Sequence, residues 1–327
     1  FFFHAQDGKR DPLWSRGLGD VYKRQVIGLS TPAIAARKVR DGGEPLVMVT
    51  AHDAPGARLA SEAGADLNLV GDSVAMVVLG HDDTLQVTVD DMVHHTAAVA
   101  RAKPDCHIVG DLPWMSYHVS PEETVRNAAR LMRAGARSVK LEGGRKRLPM
   151  IEKIIDAEIP VMGHIGLTPQ SIHTMGGFKV QGTEPEHARK LVQAAKSLEH
   201  AGCFSVVLEG VPVRVAEMVT EAITIPTIGI GAGMHTDGQV LVYHDLLGIE
   251  DRFVPKFVRR YADLKGQSVE TMKAFADDVR SGAFPNHEES YHMATSEAEE
   301  LAGVGGLGGY KIPHPRLAGL TADAGVR

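Results

Sequence analysis

Cysteine is almost absent from this chain: among 327 residues only Cys106 and Cys203 carry a thiol. Neither has a CxxC partner, and each lies just before a strand-like run. That pattern excludes a disulfide framework and leaves two reduced, mostly buried thiols in a cytoplasmic protein as the expectation. No apolar run approaches the ~20 residues a membrane helix needs. The opening "FFFHAQDGKR" lacks the basic start and apolar core of a secretory signal. A basic stripe is missing too. The net charge is −6 with acids and bases interspersed, which argues against a nucleic-acid partner. What remains is ordinary globular composition, 43% hydrophobic and 23% charged, with chain enough for one large domain or two modest ones.

The two ends differ from the middle. Residues 1–25, "FFFHAQDGKRDPLWSRGLGDVYKRQ", show neither helical nor strand period. The piece "SRGLGDVYKRQ" resembles translated sequencing-adapter read-through, so the segment is expected to be a non-native extension, with a disordered arm as the rival. Residues 294–327, rich in Gly and Ala and containing "GVGGLGG", read as a flexible tail. A single catalytic domain over 26–293, ending in C-terminal helices, is expected between them.

That middle has a regular beat. Strand-like runs occur at 46–53, 66–73, 107–113, 138–144, 159–166, 204–210, 225–233 and 239–245. Helix-like stretches separate them. In "SPEETVRNAARLMRAGA" (120–136), Ser120 suits an N-cap, Pro121 the first turn and Gly135 the C-terminal stop. Eight strand–helix units predict an α/β fold, a (β/α)8 TIM barrel, with a doubly wound open sheet as the competitor.

A barrel requires its chemistry at the C-terminal ends of several strands. Polar residues stand there: His52 and Asp53, Asp72 and Ser73, Asp111, Lys140 and Glu142, His164, and Glu209. Alternate strand residues share a face, so Lys140 goes with Glu142 and Val207 with Glu209, while Val139 and Leu141 point to the helices. A lone Asp at such a place is usually a cap or turn former. Three converging acids, Asp72, Asp111 and Glu142, would repel one another, and a hard divalent cation such as Mg²⁺ resolves that. Lys140 fits a salt bridge, a substrate carboxylate or a Schiff base. Neighbouring acids oppose the neutral amine a Schiff base needs, so the charged roles are favoured. His164 is read as ending its strand and donating to substrate or solvent. Ser73 either caps a helix or offers its hydroxyl or amide to an anion.

Other motifs say less. "GIGAG" (229–233) fits close backbone approach to a ligand or plain turn geometry equally well. "MGGFKVQG" (175–182) is a Gly-rich loop long enough for a lid. Asp90–His94 and Asp91–His95 have helical spacing and read as a solvated face.

The segments "LVGDS", "GHDDTLQVTVDDM", "DLPWMSY", "VKLEGG", "GHIGLTPQS", "GGFKVQG", "VLEGVP" and "IPTIGIGAG…DGQVLV", in this order, resemble the ketopantoate hydroxymethyltransferase family. The resemblance runs from about Thr31 to Met293. It implies a barrel of the phosphoenolpyruvate mutase/isocitrate lyase type, assembled as a large homo-oligomer, a decamer or similar. Asp72 and Asp111 would bind Mg²⁺, with Glu142 completing the site through water. Ser73, Asp111 and Lys140 would hold the keto acid, and Glu209 would accept the proton. Two departures stand out: "TAHD" puts His52 where the family reads "TAYD", and the family's terminal acid-His-Ser-aromatic pattern appears as "EESYHM".

The implied reaction moves a hydroxymethyl group from 5,10-methylenetetrahydrofolate to 3-methyl-2-oxobutanoate, giving 2-dehydropantoate on the way to pantothenate and coenzyme A. A carbon–carbon lyase or mutase of the same superfamily would share the barrel and Mg²⁺ site but not the pairing of "VLEGVP" with "GGFKVQG". A non-catalytic binding barrel would be expected to have lost a rim acid, and none is missing.

Overall fold

The computed structural model describes residues 28–252, 254–297 and 300. Residues 1–25 and most of the expected tail therefore lie outside the described residues. Eight strands run parallel: β1 (Leu46–Thr50), β2 (Leu67–Val70), β3 (His107–Asp111), β4 (Ser138–Glu142), β5 (Val161–Gly166), β6 (Ser205–Glu209), β7 (Thr227–Ile230) and β8 (Gly238–Val242). They pair in chain order, and β8 closes onto β1, so the sheet is a barrel and the open-sheet alternative falls away.

Helix signals act where the sequence places them. The Ser120 side chain accepts the Glu123 N–H ahead of the helix Pro121–Ala134, and Gly135 ends it at φ 112°. A Cβ on Gly135 would collide with Ala100, so this position needs glycine for space as well as for backbone angle.

Strand parity divides the core into two layers. Val139, Leu141, Val206 and Leu208 pack outward with helix residues such as Leu131, Ile154, Leu198 and Val219. Met48, Leu69, Val109, Met162, Val207 and Val240 pack inward on one another. Each fully buried aliphatic contributes about 1.5–3 kcal/mol of transfer free energy.

The inner cluster also takes in Ile34, from the short helix Thr31–Ala35, and Leu29. These cover the end of the barrel where the strands begin. His107, the first residue of β3, ties that cover down: Nδ1 donates to Leu29 O at 2.9 Å and Nε2 accepts from Ser138 Oγ at 2.9 Å. Nearby, Lys38 and Asp237 form a buried ion pair at 2.7 Å. Asp237 also accepts from the backbone N–H groups of Val39 and Thr227. Structural polarity thus sits at one end of the barrel, leaving the other end for chemistry.

Cys106 and Cys203 are buried and unpaired, and burial pushes their thiols up to about 11 and about 12. They are inert packing residues at neutral pH. No helix among the described residues is long and apolar enough to cross a membrane. The chain divides into two compact units between Tyr261 and Ala262. In the second, the helix Leu264–Ser281 starts on Asp263, whose carboxylate accepts the Gly266 N–H, and stops at Gly282 in the left-handed conformation.

Candidate active site

The barrel register brings the predicted rim residues together. Asp72 stands in the turn after β2, and its N–H donates to Asp111 Oδ2 at 3.1 Å. Asp111 closes β3 opposite Lys140 of β4, and Asp111 Oδ1 lies 2.9 Å from Lys140 Nζ. Glu142 pairs in register with His164, and His164 with Val207, two residues before Glu209 on β6. His164 bridges the two acids: Nδ1 lies 3.5 Å from Glu142 Oε1 and Nε2 lies 3.3 Å from Glu209 Oε2. Lys140 Nζ is 3.4 Å from His164 Nδ1. Asp72, Asp111, Lys140, Glu142 and His164 are all buried, and Glu209 is the most open of the acids at 17% side-chain exposure.

One expectation needs correction. His164 does not end β5; Ile165 and Gly166 still pair with Leu208 and Glu209, so the imidazole sits one layer down. At 2% exposure it meets carboxylates rather than solvent. Asp90, Asp91, His94 and His95 lie on the solvated face expected of them, with Asp90 and His94 exposed and Asp91 and His95 half-buried. Asp91 completes a capping box with Thr88, Asp90 reaches Arg130 on the next helix, and His95 Nδ1 donates to His52 O at 2.8 Å. Backbone donors at the helix start outcompete the i,i+4 partners. Of the open alternatives for Ser73, capping is absent; its hydroxyl lies 3.2 Å from His52 Nε2. The His52 ring is itself buried, and that burial, with His244 and His95 nearby, lowers its pKa to about 3. It is a neutral partner for Ser73.

The electrostatics follow from burial. Burial raises Asp72 well above the usual carboxylate range, and Asp111 and Glu142 push it further. Burial also raises Asp111, against the pull of Lys140. Burial opposes charge on Lys140, but Asp111, Glu142 and Asp72 outweigh it and hold its pKa above the ordinary lysine value. A charged Lys140 suits anion binding and not Schiff-base chemistry. Burial and Lys140 likewise press His164 down, yet Glu142 and Glu209 lift it to about 9, so it carries a proton at neutral pH.

Two further residues belong to the cluster and carried no separate signal in the sequence. Gln170, in the turn Pro169–Ser171 beyond β5, donates from Nε2 to Asp72 Oδ2 at 2.9 Å and to Leu112 O at 3.0 Å. Its backbone N–H donates to Glu142 Oε2 at 3.0 Å. Tyr117 OH donates to Gln170 Oε1 at 2.5 Å and accepts from Glu142 N at 3.2 Å. They lie in "GLTPQS" and "DLPWMSY", among the stretches quoted for the family resemblance.

The donor set fits a small hard cation. Among the described residues no group of three or more His, Cys, Asp or Glu side chains is placed to hold a metal by itself. Mg²⁺ does not require one; it is commonly held by one or two carboxylates together with substrate oxygens and water. Asp111 Oδ1 is buried with no hydrogen-bond donor aligned on it. Among the described residues, four carboxyl groups (Asp72, Asp111, Glu142 and Glu209) gather about two basic side chains, Lys140 and His164, a surplus of acids that a divalent cation would offset.

The family model for ketopantoate hydroxymethyltransferase matches residues 30–287. The chain belongs to the ketopantoate hydroxymethyltransferase family. It is 52% identical over 270 residues to the 3-methyl-2-oxobutanoate hydroxymethyltransferase of Oleidesulfovibrio alaskensis, covering 82% of this chain and 93% of that one. It is 55% identical over 250 residues to the enzyme of that name from Ignicoccus hospitalis, covering 76% and 94%. Among solved structures, 2,3-dimethylmalate lyase, a PEP mutase/isocitrate lyase superfamily member, superposes with TM-score 0.51 at 14% identity, covering 84% of this chain and 95% of that one. A phosphonopyruvate hydrolase in complex with oxalate and Mg²⁺ superposes with TM-score 0.53 at 11% identity, covering 84% and 95%. These last two speak for the barrel type alone. The chain is thus an enzyme of a hydroxymethyltransferase family on that barrel.

The glycine motif 229–233 is closely packed where its chain turns. Gly231 and Gly233 have φ of 61° and 79°, and a Cβ on them would press into Phe257 and Val213. The 175–182 loop is pinned beside the acid of β6, where Gln181 N donates to Gly210 O at 2.8 Å.

Proposed function

We propose that the rim cluster transfers a hydroxymethyl group from 5,10-methylenetetrahydrofolate to 3-methyl-2-oxobutanoate, giving 2-dehydropantoate, with Mg²⁺ as the metal. The observation that carries this reading is the opposition of Glu209 to the Asp72–Asp111–Lys140 group, with His164 between them.

Asp72 and Asp111 would hold Mg²⁺, with Glu142 completing the set. A bound Mg²⁺ would draw charge from the keto and carboxylate oxygens and make the C3 proton more acidic. Lys140 supplies a fixed positive charge for the substrate carboxylate, and Ser73, oriented by His52, a hydroxyl. Glu209 approaches from β6, across the mouth from strands β2 to β4, and takes the C3 proton. His164⁺ sets a positive charge beside Glu209, with Nε2 3.3 Å from Oε2. The resulting enolate carbon attacks the folate-borne methylene after that methylene's bond to one folate nitrogen has opened. Water then replaces the second folate nitrogen on the methylene, supplying the hydroxyl, and tetrahydrofolate leaves with its nitrogens protonated. The family resemblance adds a homo-oligomer and a cytoplasmic location to this reading.

The test is deuterium exchange at C3 of 3-methyl-2-oxobutanoate, with and without Mg²⁺ and folate. Mg²⁺-dependent exchange in the absence of folate is expected. Exchange that needs folate, or that ignores Mg²⁺, overturns the enolisation step.

A further inference from the structure

Gln170 uses nearly all of its hydrogen-bonding capacity on the site. Its backbone N–H holds Glu142 Oε2, both Nε2 protons are taken by Asp72 Oδ2 and Leu112 O, and Oε1 accepts from Tyr117. Only one orientation of the amide satisfies this set. Flipping it would place Oε1 against a carboxylate oxygen and a carbonyl and leave the Tyr117 hydroxyl facing an amine. Tyr117 is fixed as the donor because its hydroxyl already accepts the Glu142 N–H.

The consequence concerns which oxygens remain available. Asp72 and Glu142 repel one another across the rim. Gln170 gives each of them a neutral donor, so it holds them apart without adding positive charge. One oxygen of each acid is engaged, and Asp72 Oδ1 is left over. An arginine or lysine in its place would supply the donors but also cancel the charge that attracts a cation. The turn Pro169–Ser171 thus reaches from β5 to acids just after β2 and on β4 that are 98 and 28 residues away in sequence.

We propose that Gln170, locked by Tyr117, is the positioning residue of the cation site: it fixes Asp72 and Glu142 so that Asp72 presents its free oxygen to Mg²⁺. The inference rests on the Mg²⁺ reading given under "Proposed function" and adds to it a residue outside the metal and substrate sets named there.

The experiment is a calorimetric Mg²⁺ titration of the full chain, with the Mg²⁺ dependence of C3 exchange alongside. Gln170→Met keeps the side-chain length and the backbone bond to Glu142 but removes both amide functions. Its Mg²⁺ affinity should fall about 10–100-fold, the usual cost of losing an outer partner of a metal ligand. Saturating Mg²⁺ should return exchange to near the wild-type rate. A purely structural role would reduce the folded fraction and leave the Mg²⁺ midpoint where it was. Tyr117→Phe should move the midpoint the same way by a smaller factor, and it decides the matter if Gln170→Met does not fold. Midpoints within twofold of wild type in the folded variants overturn the proposal. A wild-type chain that binds no Mg²⁺ overturns the functional reading itself, a separate result visible in the control titration.

Discussion

His164 Nε2 and Glu209 Oε2 stand 3.3 Å apart across the β5–β6 seam, close enough for an ion pair but out of line for a hydrogen bond. The imidazole therefore faces the carboxylate without tying it down. Glu209→Gln keeps the shape and removes the proton acceptor. C3 exchange should drop by roughly 10²–10⁴ even without folate, while Mg²⁺ and keto acid still bind. Retained exchange with lost product would move Glu209 to the transfer step.

Asp111 is the acid with most at stake. One oxygen accepts the Asp72 N–H and the other faces Lys140. Asp111→Asn keeps the volume and should reduce Mg²⁺ binding below detection by calorimetry. It also leaves Lys140 short of its partner, so the melting temperature should fall as well. Unchanged Mg²⁺ affinity would remove Asp111 from the metal set.

His107 provides a pH test at the other end of the barrel. Burial lowers its pKa to about 4, against the 6.5 of an exposed histidine. The unfolded chain therefore takes up a proton before the folded one does. Stability from this residue is full above pH 6.5, is lost as pH falls toward 4, and levels off below. The shift corresponds to about 3 kcal/mol at 1.36 kcal/mol per pH unit. Denaturant unfolding of wild type and His107→Gln across pH 4–7 should converge at the acid end. Parallel curves would contradict the assignment.

The Lys38–Asp237 pair predicts a purely structural phenotype. Asp237→Ala strands a buried ammonium and frees the Val39 and Thr227 amides. A loss of about 3–5 kcal/mol is expected. That is roughly 10 °C in melting temperature for a chain of this size. Mg²⁺ affinity of the folded fraction should not change, because the pair lies at the end of the barrel away from the acids.

Much of this was legible in the sequence, for identifiable reasons. The eight strands announced themselves because each is a short apolar run between turn signals, and the inward set of Lys140, Glu142 and Glu209 followed from the two-residue period alone. Strand ends were less clear. Nothing local distinguishes His164 within a strand from His164 at its edge, since Ile165–Gly166 pair only through contacts with β6. Gln170 and Tyr117 were invisible as individuals. A single amide and a single phenol have no spacing to read, and their partners lie 98 and 53 residues apart in the chain. Lys38 and Asp237, separated by 199 residues, were hidden for the same reason. The solvated face around Asp90 and His94 was legible from its spacing, and Thr88 takes Asp91 in a capping box there.

The alternation along β4 has a consequence for how this gene tolerates change. Val139 and Leu141 share the strand with Lys140 and Glu142, each pair on its own side. Replacing one letter alters one contact. Removing one codon ahead of Lys140 rotates the whole ribbon by half a turn, driving an ammonium and a carboxylate into the oily shell beneath the helices and delivering two aliphatics to the reaction chamber. In a library mixing point changes with single-codon deletions, β4 should therefore accept many of the former and none of the latter, whereas the outer ends of the helices should accept both.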